Sequence, residues 1–134
     1  MIGLDTNVLV RYFAQDDVQQ SAAANRVMAT LSKREPGWIA LITLCELVWV
    51  LDSAYGLTKA QLLDILQSIL ESDELEIENK PIAWAALVCY RDAALDFSDA
   101  IILRSAADAG CSHIVTFDKL AAKTTGFVLL KGGK

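Results

Sequence analysis

Short apolar stretches that run into an acidic residue recur along this chain: MIGLD at 1–5, WIALITLCE at 38–46 and IVTFD at 114–118. A fourth acid, Asp99, opens the apolar run FSDAIIL at 97–103. Helical patterns fill the intervals, and strands separated by helices imply a mostly parallel sheet with right-handed crossovers and helices on both faces. In such an open sheet, ligands bind outside the carboxyl ends of the strands, where the strand order reverses. Asp5, Glu46, Asp99 and Asp118 are therefore expected to share one site. Two unit charges about 4 Å apart repel by roughly 4 kcal/mol at an effective dielectric near 20. Clustered carboxylates must then protonate or be answered by a cation, and a divalent ion is the natural compensator.

The hydrophobic periodicity predicts strands over 1–5, 38–41, 74–78, 113–117 and 127–130. It predicts helices over 6–13, 17–33, 43–55, 81–92 and 98–109, another begun by Thr58, and a short one before the Thr124, Thr125, Gly126 turn. Gly56 and Gly110 stand just past helix ends, where a left-handed residue closes the last turn. Leu62, Leu63, Leu66, Ile69 and Leu70 share one broad apolar face. Glu74, Glu76 and Glu78 alternate with Leu75 and Ile77, as in a half-exposed edge strand. No repeat or linker interrupts the pattern, so residues 1–134 read as a single domain with a frayed tail at 131–134.

Composition excludes several classes. A hydrophobic content of 54% with 22% charged residues rules out disorder and leaves apolar surface to spare for a partner. Glu46 and Asp52 break the longest apolar stretch below the ~18 residues a membrane span needs. Residues 1–4 are too short for the apolar core of a signal peptide. Cys45, Cys89 and Cys111 are odd in number and far apart, which fits neither a disulfide framework nor a zinc set and points to a reducing cytoplasm. The net charge of −5 argues against a nucleic-acid partner at first sight, but the four acids account for most of the excess of 17 acidic over 12 basic residues. A bound divalent ion would reverse the local sign where a phosphate must sit.

Each acid also has a purely structural reading. Thr43 and Glu46 have the spacing of a capping box. Asp96 or Ser98 can cap the helix that contains Asp99, and Asp5 and Asp118 can each favour a helix start through its dipole. All these readings put carboxylates at helix starts beside strand ends, which is also where a metal site is built. Thr6, Asn7 and Thr116 supply small polar groups that can orient ligating oxygens. An all-oxygen set selects Mg²⁺ or Mn²⁺ over zinc. His113, the only histidine, Arg11, and Trp38, Trp49 and Trp84 read most simply as structural or surface residues.

The segments DTNVL, TLCELVWVL, DFSDAIIL and VTFDKL, in this order and at these separations, resemble a PIN domain, and within that superfamily a VapC-type toxin ribonuclease. The resemblance covers essentially the whole chain. It implies a three-layer α/β/α sandwich on a five-stranded parallel sheet of order 3-2-1-4-5. It also implies a Mg²⁺ or Mn²⁺ site made by Asp5, Glu46, Asp99 and Asp118, with Thr6 and Asn7 in support and Asp96 as an auxiliary acid or a cap. The implied activity is metal-dependent hydrolysis of RNA phosphodiesters by a cytoplasmic homodimer with a cognate VapB-type antitoxin. The apolar surplus on residues 62–70 and around Trp49 and Trp84 is consistent with both protein contacts. A phosphoryl-transfer or phosphatase-like protein on a similar sheet is the rival enzyme class, though Asp5 lacks the second nearby Asp such sites carry. A binding-only PIN domain is the other rival, and its expected sign, loss of an acid, is absent. RNA and DNA are not distinguished by the sequence.

Overall fold

The computed structural model describes residues 1–132, so half of the tail expected to fray, 133–134, lies outside the described residues. The chain packs as two compact units, Met1–Lys80 and Pro81–Lys134.

The first unit runs β1 (Ile2–Gly3), α1 (Thr6–Ala14), α2 (Val18–Thr30), β2 (Gly37–Ile39), α3 (Leu41–Ser53), α4 (Lys59–Glu71) and β3 (Leu75–Ile77). Its three strands form a parallel sheet in the order β1-β2-β3, with Gly3 opposite Trp38 and Ile39 opposite Ile77. Gly37 leaves room for the core where the chain enters β2: a Cβ there would come within 2.7 Å of Leu4 Cδ1, and that side chain would have to shift. The predicted apolar face of α4 is real, but Leu62, Leu66, Ile69 and Leu70 are buried in this unit's own core with Leu9, Ile39, Leu44, Leu47 and Leu51. That surface is spent on folding and is not free for a partner. Trp49, by contrast, is 70% exposed. The capping box of α4 forms as its sequence predicts, Thr58 Oγ1 accepting from Gln61 N–H and Gln61 Oε1 from Thr58 N–H.

The second unit contains α5 (Lys80–Asp92, which begins one residue earlier), α6 (Phe97–Asp108), β4 (Ile114–Thr116), a 3-10 turn (Ala121–Lys123) and β5 (Phe127–Leu129). Phe97 and Tyr90 pack edge to face, 5.8 Å between ring centres, in a core shared by Leu87, Ile101 and Leu103. β4 and β5 pair in parallel, Val115 opposite Val128.

The expectation of one five-stranded sheet of order 3-2-1-4-5 needs correction. The described strands form two separate parallel sheets, one of three strands and one of two. The physical reason lies in strand length. In β1 the Ile2 and Leu4 N–H groups donate to Pro36 and Trp38 carbonyls. Alternation along a strand then leaves Gly3 as the one residue of β1 with backbone groups toward its other edge, too few for a second ladder. β1 is short because Asp5 is already the cap of α1.

Candidate metal centre

In the first unit, Asp5 stands at the N-cap of α1 in an extended conformation, and its Oδ1 accepts from the Thr6 N–H at 2.9 Å. The helix therefore fixes this carboxylate while its other oxygen points away from the cap bond. Thr6 is buried, and its hydroxyl donates to Glu46 Oε1 at 3.0 Å. One dipeptide thus carries the first acid and orients the second. Asn7 is exposed on the first turn of α1.

The capping box expected for Thr43 and Glu46 does not form. Helix α3 starts at Leu41 after Ala40, which supplies no side-chain cap, so Thr43 lies inside the helix and Glu46 a full turn further on. The missing cap comes from far away in sequence: Glu78, just past β3, accepts from the Leu41 N–H at 2.9 Å. Glu46 is thereby freed from helix capping. Its neighbour Cys45 is half-buried, and burial, reinforced by the Glu46 charge, pushes its thiol up to about 11. A thiol protonated at neutral pH is no nucleophile.

In the second unit, Asp96 occupies the N-cap position of α6 yet makes no side-chain capping bond. The reading of Asp96 as a cap is therefore not supported by geometry. Asp99 lies in the first turn of α6. Its carboxyl is pushed above the usual aspartate range by burial, and then by the charges of Asp96 and Asp118. Asp118 follows β4, and its Oδ1 accepts from the N–H groups of Leu120 and Ala121 at 2.8 and 3.2 Å. Thr116 supports the turn and not the carboxylate: its hydroxyl accepts from the Asp118 N–H at 3.0 Å. His113 stands at the opposite end of β4, exposed, with Nδ1 2.9 Å from Ser112 Oγ.

Each unit therefore assembles its own share of the predicted residues: Asp5, Thr6, Asn7 and Glu46 in one, Asp96, Asp99, Thr116 and Asp118 in the other. Among the described residues no three His, Cys, Asp or Glu side chains are gathered as a preformed metal cage. The described ion pairs join the amino terminus to Glu35, Arg11 to Asp16 and Arg91 to Asp92, so no acid of the predicted set is neutralised by a protein cation. The donors are all oxygen, and the Asp99 carboxyl is raised by burial and then by the Asp96 and Asp118 charges, with no ion pair among the described residues to offset them. That chemistry fits a hard divalent cation.

Sequence reading missed one polar cluster. Arg11 donates to Asp16 Oδ1 and Oδ2 at 3.1 and 3.2 Å and to Tyr55 Oη at 2.9 Å, while Tyr55 donates to Asp16 Oδ2 at 2.7 Å. Asp16 beside the α2 cap Asp17 is a local hint of a spare carboxylate; Tyr55, 39 residues away, has none.

A comparison with curated proteins gave no match. The model of the PIN domain family matches residues 2–126, across both units, and the chain accordingly belongs to the PIN domain family.

Proposed function

We propose that this chain is a metal-dependent endoribonuclease, the toxin of a VapBC-type pair, in which Asp5, Glu46, Asp99 and Asp118 together hold Mg²⁺ or Mn²⁺. PIN domains are generally nucleases that need divalent metal ions. The observation that carries the reading is the Asp99 carboxyl, raised by burial beside Asp96 and Asp118 and without an ion-pair partner among the described residues. A carboxylate answered by a cation or by hydrogen bonds to its charged form is shifted the other way. That the family match runs from residue 2 to residue 126 supports treating both units as one nuclease domain.

When bound, the cation supplies Lewis-acid chemistry at the scissile phosphate. The chain's own residues bind and orient it. Asp5 and Asp118 each spend one oxygen on backbone N–H groups and keep the other for ligation. Thr6 holds Glu46 by its hydroxyl bond, and Asp96 adds negative charge beside Asp99.

Two surfaces support the partners this reading requires. A cleft of about 440 Å³ in the first unit, with Tyr12, Phe13 and Met28 as apolar walls and Asn25, Ser68 and Glu74 among its polar lining, suits an amphipathic segment of an antitoxin. Ile42 and Trp49, exposed on one face of α3, suit a homodimer contact. Among the described residues no helix is long and apolar enough to cross a membrane.

The test is cleavage of single-stranded RNA with Mg²⁺ or Mn²⁺ and its loss in EDTA. Activity that survives the chelator, or needs zinc, would overturn the site. Expression alone should arrest bacterial growth, and co-expression of an antitoxin encoded beside it should relieve the arrest. Arrest that persists with Asp5→Asn would separate toxicity from the acids.

A further inference from the structure

A second cavity, of about 420 Å³, opens between α1 and α2 of the first unit, within the range of about 300–1,000 Å³ usual for small-ligand sites. Its floor is apolar and shallow, formed by Val8, Ala23, Ala24 and Val27. Asn7, Arg11 and Gln20 supply its polar groups. Asn7 and Arg11, four residues apart, lie on one face of α1 about 6 Å apart along its axis. Asn7 is in the first turn of α1, two residues along the chain from Asp5.

The Arg11 guanidinium is pinned. Its Nε donates to Gln20 Oε1 at 2.6 Å, and its Nη1 is held by Asp16 and Tyr55. Asp16 offsets its charge, so the group offers a phosphate little net attraction. It still presents a flat, rigid surface. Proteins that read single-stranded RNA splay its bases out, stack them on aromatic rings or Arg planes and bond their edges. Asn7 carries an amide donor and acceptor, and Gln20, whose oxygen is taken by Arg11, has its amide nitrogen as a donor.

We propose that this cavity receives one base of single-stranded RNA, stacked on Arg11 and bonded at its edge by Asn7 and Gln20, and that it sets sequence preference. The inference rests on the nuclease reading above for RNA as the ligand. Binding of a base can be tested apart from cleavage.

The experiment follows backbone and side-chain amide NMR signals of the full chain in EDTA during titration with short homopolymeric oligoribonucleotides of each base and an abasic strand of equal length. Gln20 and Ala23 signals should shift with at least one homopolymer, and the abasic strand should bind about tenfold more weakly or worse, the worth of one stacked base. Ala23→Leu fills the floor from an exposed helical position with a good helix former. It should remove the base preference while the spectrum stays folded. Equal shifts with the abasic strand, no shift at Gln20 and Ala23, or an unchanged preference in Ala23→Leu would overturn the proposal. A chain that binds bases here yet cuts no RNA with Mg²⁺ keeps the base site and removes only the nuclease reading.

Discussion

Two groups of charged residues in this molecule are held in opposite ways. Around Arg11, burial works against the guanidinium charge, but the hydrogen bonds and charges of Asp16 and Tyr55 outweigh it and hold Arg11 more firmly protonated. Asp16 in turn is held below the usual aspartate range, first by the Tyr55 hydroxyl and then by Arg11. Around Asp99 there is burial and like charge, and the carboxyl is raised. The first cluster is complete without a ligand. The second has no ion-pair partner among the described residues, and under the proposed function a cation would complete it. Both hold aspartates near a helix start, so position along the chain does not tell them apart; the charge of their neighbours does.

The largest expected effect falls on the unsatisfied cluster. Asp99→Asn should reduce cleavage by more than about a hundredfold, beyond the 10–100-fold typical of groups that only orient a ligand. Because the substitution relieves repulsion, the metal-free mutant should melt no lower than wild type. With Mg²⁺ at a hundred times its Kd, wild type should gain about 2.7 kcal/mol and the mutant far less. A mutant destabilised in EDTA that still responds to Mg²⁺ and cuts RNA would return Asp99 to a structural role.

Next in size is the group that orients Glu46. Thr6→Val keeps the shape of a buried side chain and removes the hydroxyl bond to Glu46, so metal-dependent cleavage should fall about 10–100-fold, and Thr6→Ser should restore it. Equal activity in both variants would show that Glu46 needs no fixed orientation.

The pH dependence separates the two clusters by sign. Asp99 has a folded pKa above its unfolded value of 3.8, so the folded chain binds the extra proton. Its unfavourable contribution is absent below the unfolded pKa, sets in as pH rises through it, and is complete above the folded pKa. Asp16 behaves inversely: its contribution is present above the unfolded pKa of 3.8 and is lost as pH falls through the folded one. Carboxyl NMR titration of the metal-free protein should place Asp99 above Asp16, and Mg²⁺ should depress the Asp99 midpoint. An Asp99 midpoint at or below that of Asp16 would erase the comparison.

The smallest effect is expected from Asp16→Asn, which leaves a hydrogen-bonding group but removes a solvent-screened charge. Melting temperature should drop slightly at neutral pH, and the difference from wild type should vanish in acid. A drop that persists in acid would show the loss to be one of packing.

Much of this was legible in the residues because it depends on local rules. Periodicity placed all six helices described and all five strands to within a few residues. Acids that close or follow apolar stretches marked Asp5 and Asp118 where the chain turns into a helix or turn. The capping residue Thr58 acts within a few positions of itself, which is why its helix start could be read. Where the partner is distant the reading failed. Thr43 and Glu46 match a capping box, yet Glu78 takes that task from 37 residues away and leaves Glu46 to Thr6. The strand count was legible and the sheet division was not, because pairing depends on how many backbone groups a two-residue strand can offer once its first edge is used.

The sequence by itself determined which segments are helix and strand, which face of α4 is apolar, and that Asp5 begins a helix, since each follows from spacing along one stretch of chain. The tertiary structure decided what each charge meets: that α4's face is consumed by the core, that Arg11 is matched by Asp16 and Tyr55, and that Asp99 faces Asp96 and Asp118 instead of a cation. Charge pairing acts through space at a few ångströms, and the distance between two side chains is fixed by packing, which spacing along the chain does not encode.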